Sequence, residues 1–129
     1  MSSRKAAMNR ILAAILMAVV PGEACAQEPM VTIKGFVLDS ACAFIKNLQK
    51  PVSKDCALAC AKAGSPLVIL ADDGTIYWPI SAAMPATGQN QRLMKLAGQR
   101  VIAAGRLFER SGSRAMVIEK IEAEPGISR

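Results

Sequence analysis

The chain contains no histidine. That absence excludes a Ser/His or Cys/His catalytic pair, a histidine-based metal site and a CxxCH haem attachment. Aromatics are scarce as well. Phe36, Phe44, Phe108, Tyr77 and Trp78 are the whole supply, too few for the stacking stripe of an RNA-binding sheet. No P-loop, GxGxxG, G-x-S-x-G or N-x-S/T motif occurs, so the usual phosphate-binding and serine-hydrolase signatures are missing. The longest apolar run, Ile11–Val20, is ten residues. A helix needs roughly 20 to cross a hydrocarbon core of about 30 Å.

That short run sits in a recognisable setting. Arg4, Lys5 and Arg10 precede it without an acid, Pro21 and Gly22 break it, and Ala24-Cys25-Ala26 follows. A basic flank, a short apolar stretch and an A-x-A site make a secretory signal peptide over residues 1–26, with cleavage predicted after Ala26. Gly22 stands where a lipobox prefers Leu, which disfavours lipidation at Cys25, and no twin Arg precedes the run. The expected product is a periplasmic or secreted domain, residues 27–129, with no membrane span after cleavage. Cleavage removes three basic residues and Glu23, so the net charge falls from +6 to +4. Nucleic acid is not expected as a partner; an unidentified small molecule or periplasmic protein is.

The expected mature domain, residues 27–129, has 103 residues, and the full 129-residue chain is 52% hydrophobic, enough for one core of Val, Ile, Leu, Met and Ala and too apolar for intrinsic disorder. Val31–Lys34 alternates as a half-buried strand, Gly35 interrupts it, and Phe36–Leu38 continues. The interruption predicts a bulge or a sharp coil of the strand, as a small barrel needs to wrap its first strand around two sheets. Pro66–Leu70 and Thr75–Ile80 flank Asp73-Gly74, a hairpin signal. Leu93, Met94, Leu96 and Ala97 fall at helical spacing, and Gly98 sits at a C-cap position. Arg100–Arg110 and Arg114–Ile121 flank a Ser-Gly-Ser turn, and residues 122–129 read as a polar tail that frays. This order predicts a mainly β fold: a five-stranded OB-fold-like barrel with one helix between strands 3 and 4. A short cysteine-bearing helix is inserted after strand 1, within residues 39–64. Ile76, Trp78 and Ile80 share one face, so Trp78 is expected in the core and Tyr77 outside, where it is a candidate ligand contact. Arg106, on a basic face with Arg100, Arg110 and Arg114, is a second candidate.

The cysteines are the unusual feature. Asp39-Ser40-Ala41-Cys42 is followed, thirteen residues on, by Cys56-Ala57-Leu58-Ala59-Cys60. Residues 55–63 are Ala-rich and helical by propensity, with Ser53 or Asp55 as cap. Cys56 and Cys60 share a helix face, expected to be buried together with Ala59 and Ala63 and to plug a barrel mouth alongside Leu58. Three cysteines in an oxidising compartment suggest one structural disulfide, Cys42 with Cys60 or Cys56. Such a bridge would contribute about 3 kcal/mol and tie the insertion to the barrel. The alternative is a copper or zinc site using Cys42, Cys56, Cys60 and Asp39, since soft thiolates hold Cu(I) and Zn²⁺. Thiol redox work is a third reading, because Cys56 falls in the first helical turn.

The run GFVLDSAC…CALACAKAGSPLVILADDGTIYW…LAGQRVIAAGRL resembles a family of small exported bacterial proteins of unknown function. Those proteins share a G-x-V-x-D-x-x-C…C-x-x-x-C-x-x-x-G-x-P-L pattern ahead of an OB-like barrel. The resemblance spans about residues 31–121 and marks Gly35, Asp39, Cys42, Cys56, Cys60, Gly64, Pro66, Leu67, Asp73, Gly74 and Gly98. It implies a fold and a compartment but no activity. Family members often carry a histidine between the first cysteine and the pair, and this chain does not. The reading is therefore a binding or accessory protein without catalysis.

Overall fold

A computed structural model describes residues 27–45 and 53–126. The expectation of a signal peptide over 1–26 lies outside those residues. Five strands close into a barrel: β1 (Met30–Asp39), β2 (Leu67–Ala71), β3 (Ile76–Pro79), β4 (Arg100–Arg110) and β5 (Ser113–Ala123), hydrogen-bonded in the order β1-β2-β3-β5-β4. Neighbours are antiparallel except β3 and β5, which run parallel. The expected five-stranded, mainly β barrel with few helices is the fold.

β1 makes closure possible. Its first half pairs with β4 and its second half with β2, and Gly35 and Phe36 pair with both. The bulge expected at Gly35 is absent. Alternation runs through it unbroken, with Ile33, Gly35 and Val37 buried and Phe36 turned outward. The glycine serves close approach instead: a Cβ there would run into the Leu70 carbonyl, so a bare Cα lets β1 coil between its two partners. The one irregular step lies across the barrel. Ala104 faces Lys120 and Gly105 faces Ile118, leaving Glu119 as the extra residue. A Cβ at Gly105 would strike the Val117 carbonyl.

Inside the barrel, Ile33, Val37, Ile69, Val101, Met116 and Ile118 form the core. The expected helix between β3 and β4 is a single turn, α3 (Asn90–Leu93), continued by a 3-10 turn at Met94–Leu96. Leu93 and Leu96 join the core from it. The cysteine segment supplies α1 (Ser40–Ile45) and α2 (Lys54–Lys62). Both pack on β1, and α1 also packs on β2, where Leu38 and Val68 are fully buried on the outer side of the wall. This second layer explains why β2 is apolar at every position, as strands covered on both faces are.

α2 begins where expected: Ser53 Oγ accepts the Cys56 N–H at 3.2 Å. Its buried face is one position away from the expected one. Ala57 and Ala61 are buried, Leu58 is half-buried, and Ala59 and Ala63 are exposed. Ala61 alone reaches the barrel core, so the plug of Leu58, Ala59 and Ala63 is not formed. Alanine spacing cannot separate two adjacent faces when both carry Ala at i and i+4. The expected frayed tail is also shorter than the sequence suggests. β5 runs to Ala123, and Glu124 accepts from Arg100 Nε at 2.6 Å and Lys34 Nζ at 3.1 Å.

Candidate functional site

Two places on the molecule gather chemistry, and α1 borders both. The first is the end of β1, where Asp39 is 1% exposed. A buried carboxylate is tolerated only if donors surround it. Asp39 Oδ2 accepts the Cys42 N–H at 3.2 Å and the Ser65 hydroxyl at 3.3 Å. The Cys42 thiol also favours the charged form of this side chain, and Cys60 is near enough to feel its charge and that of Cys56. Burial alone would raise the Asp39 carboxyl. The donors, led by the Cys42 thiol and Cys42 N–H, outweigh it and hold the group below its ordinary value. Cys60 moves the other way: burial first, then the Asp39 charge and Cys56, push its thiol up.

Asp39, Cys42 and Cys60 are thus brought into one neighbourhood at the end of β1, with Cys56 one turn before Cys60. Cys42, Cys56 and Cys60 are not joined to one another by a disulfide. Among the described residues no group of three or more His, Cys, Asp or Glu side chains is arranged to hold a metal ion. Backbone and amide hydrogen bonds also hold the segment. Ser40 N–H donates to the Pro66 carbonyl at 2.8 Å. Asn90 does more: its Oδ1 accepts the Leu67 N–H at 2.7 Å, and its Nδ2 donates to the Ser65 carbonyl at 2.7 Å and the Ala61 carbonyl at 3.3 Å. One amide thereby joins the end of α2, the start of β2 and the first turn of α3. The sequence offers no hint of this, since Asn90 is one of four consecutive polar residues, Gln89 to Arg92, ahead of the apolar helical positions.

The second place is an open cleft of about 500 Å³ on the outside of β3, walled by Thr75, Ile76 and Trp78, by Phe44 of α1, and by Glu109 and Arg114 of the β4–β5 hairpin. Here β3 reverses the expectation from its sequence. Tyr77 is 8% exposed and belongs to the core, opposite Ile69, while Trp78 faces outward. Residues paired across a ladder share a face, and Ile69 is a core residue, so Tyr77 must point inward. Counting apolar residues on each face of β3 pointed the other way because its outer face carries Ile76 and Trp78 to line a cleft. The Phe44 and Trp78 rings lie 6.1 Å apart at 34°. Phe44 is 60% exposed, so it contacts Trp78 without covering it. Arg114 Nε pairs with Glu109 Oε1 at 2.7 Å, and its Nη1 lies 3.4 Å from Thr75 Oγ1. Of the two residues singled out as ligand contacts, Tyr77 is inside the barrel. Arg106 sits 3.5 Å from Glu119 on the outer face and does not line the cleft.

Elsewhere, Arg100 forms a fork on Asp72 at 2.7 and 2.9 Å, holds Glu124 and lies over the Phe36 ring at 5.1 Å. Bidentate pairing to Asp72 and the bond to Glu124 raise its pKa, which makes it a clamp across the β1–β4 edge and spends its donors. No helix among the described residues is long and apolar enough to cross a membrane. Comparison with known proteins finds no matching family model, no similar curated protein and no similar solved structure.

Proposed function

We propose that the chain is an exported, non-catalytic binding or accessory module on an OB-fold-like barrel, and that it takes its ligand in the cleft between Trp78, Phe44 and Arg114. The strand order β1-β2-β3-β5-β4, the parallel β3–β5 pair and the helical turn between β3 and β4 support the OB reading. The basic flank, short apolar run and A-x-A site support export. One observation carries the binding role: the only tryptophan of the chain faces outward into a cleft beside an exposed phenylalanine. Aromatic surface left uncovered at a concavity marks a recognition site more often than a packing accident. An apolar floor with an Arg–Glu rim suits a small ligand, or a peptide side chain, with a flat apolar part and a polar end.

Trp78 reports on its own cleft, because no other tryptophan contributes to emission. Titration with anilinonaphthalene sulfonate, a flat aromatic probe with an anionic end, is expected to quench Trp78 saturably at one site. Arg114→Ala is expected to weaken binding about tenfold, the loss of one charge-assisted contact. Unchanged Trp78 emission throughout the titration would remove the binding role. Export is tested separately by the N-terminus of protein recovered from the cell exterior or periplasm, which should be Gln27.

A further inference from the structure

The outer face of the sheet continues past Trp78, away from α1. Trp78 is paired with Ala115 across the parallel β3–β5 ladder, and Ala115 is paired with Phe108 across the β4–β5 ladder. Residues opposite one another in a ladder share a face, so Trp78, Ala115 and Phe108 stand in one row on the outside of the barrel. Leu107, beside Phe108 in the chain, packs against the core, as that placement requires. Neighbouring strands lie about 4.8 Å apart, which sets the Trp78 and Phe108 backbones about 10 Å apart, with only the alanine methyl between them. On the other flank of Trp78 the Phe44 ring is 6.1 Å away. The helices of the cysteine segment pack on β1 and β2, and Trp78, Ala115 and Phe108 all remain partly exposed.

We propose that Phe44, Trp78 and Phe108 form one aromatic track, and that the track takes a neutral β-1,4-linked oligosaccharide laid across β3, β5 and β4. This rests on the cleft reading given above and extends it from one ring to a chain. The spacing carries the first part. Trp78 to Phe108 is close to the repeat of two sugar rings in an extended β-1,4 chain, so one glycan can lie on both aromatics with Ala115 beneath it. The C–H groups on the flat side of a pyranose meet the negative face of an aromatic ring, and the hydroxyls point sideways to the rim. That rim is neutral. Arg114 Nε is closed on Glu109 Oε1 at 2.7 Å, and Thr75 Oγ1 lies 3.4 Å from the same guanidinium. Arg106 stands 3.5 Å from Glu119. Such pairs offer donors and acceptors together, which fits hydroxyls and leaves no excess charge for a polyanion. Of the arginines around this face, Arg110 alone forms no ion pair among the described residues, whereas a phosphate chain relies on several cations. An extended peptide fits less well, because β3 and β5 each lie between two hydrogen-bonded neighbours and present no free edge for an added strand.

The test titrates the full chain with chitohexaose, with N-acetylglucosamine and with anilinonaphthalene sulfonate, following Trp78 emission. The hexamer is expected to shift that emission saturably, to bind about tenfold more tightly than the single sugar, and to keep its affinity as salt rises. Phe108→Leu keeps an apolar side chain but removes the ring, and Ala115→Ile fills the gap between the aromatics. Each should weaken the hexamer about tenfold, the loss of one stacking contact. Neither should change the affinity of the sulfonate probe, which binds on the other flank of Trp78. Equal affinity for the hexamer and the single sugar overturns the track, as does native hexamer affinity in both variants. A saturable response to the sulfonate with none to the hexamer overturns the glycan and leaves the cleft reading standing. A response to neither overturns both. Binding of an oligothymidylate that fades with salt, in place of the hexamer, assigns the face to a polyanion and overturns the proposal.

Discussion

The β4–β5 hairpin and the cysteine segment are held by different means. Each strand of the hairpin is eleven residues long, and the ladder is paired over nearly its whole length. Its stability comes from many equivalent backbone bonds and from Val101, Ala103, Met116 and Ile118 facing the core. The segment of α1, α2 and the turn to β2 has two short helices and a few specific side-chain anchors, Asp39, Ser65 and Asn90, of which the Ser65–Asp39 and Asn90–Ser65 bonds link residues 26 and 25 positions apart. A ladder loses one bond at a time, whereas an anchored segment loses its position when one anchor goes. The contrast also suits the proposed cleft, to which a stiff hairpin presents Glu109 and Arg114.

The comparison breaks most sharply in the barrel core. Met116 is fully buried on β5, so Met116→Ala should cost about 3 kcal/mol through lost burial and the cavity left behind. The loss should appear as a lower midpoint in chemical denaturation, with α1, α2 and the hairpin melting together. Retention of the hairpin signal after the helices melt would show that the two regions are separate cooperative units. Asn90→Ala comes next, at about 2 kcal/mol, because three part-buried backbone groups each lose a hydrogen bond. Here the effect should be local. Amide exchange should rise over α2 and the start of β2, while the β4–β5 ladder keeps its protection. Uniform acceleration across the chain would contradict the anchored-segment picture.

The smallest expected effect is in acid. The Asp39 carboxyl is held below its ordinary value of 3.8 in the folded chain. A group depressed on folding stabilises the native state above its unfolded pKa, and that contribution is lost as pH falls through the folded value. Exchange over α1 should therefore accelerate below about pH 4, relative to the hairpin. Asp39→Asn, which does not titrate, should remove that acid-dependent step while lowering stability at pH 7. If the α1 amides respond to acid equally in Asp39→Asn, the charge on Asp39 is not what holds the segment. Asp72 and Glu124, also depressed, lie on the Arg100 clamp and titrate away from α1.

Much of the barrel was legible in the residues, because its signals are local. Alternation marked the strands, Asp73-Gly74 and Ser111-Gly112 marked the two hairpin turns, and Ser53 capped α2 as its position suggested. Gly35 was legible as special but not as to its purpose: a glycine that bends a strand and one that admits a neighbouring carbonyl look alike until Leu70 is beside it. The candidate site was less legible. Asp39 and the three cysteines stand out in the sequence, yet which of them meet depends on where α2 docks. The cleft was misassigned by one residue, Tyr77 for Trp78, and Asn90 gave no signal.

The sequence by itself determined the strands and their turns. These follow from propensity, period and spacing, which act over a few residues at a time. Only the tertiary structure decided which face of β3 looks inward, which face of α2 is covered, and that α1 touches both the thiols and the cleft. Those outcomes are set by pairing and docking across long sequence separations, such as Ile69 with Tyr77 and Asn90 with Ser65. A face is inside only relative to its partner, and the chain cannot specify that partner locally.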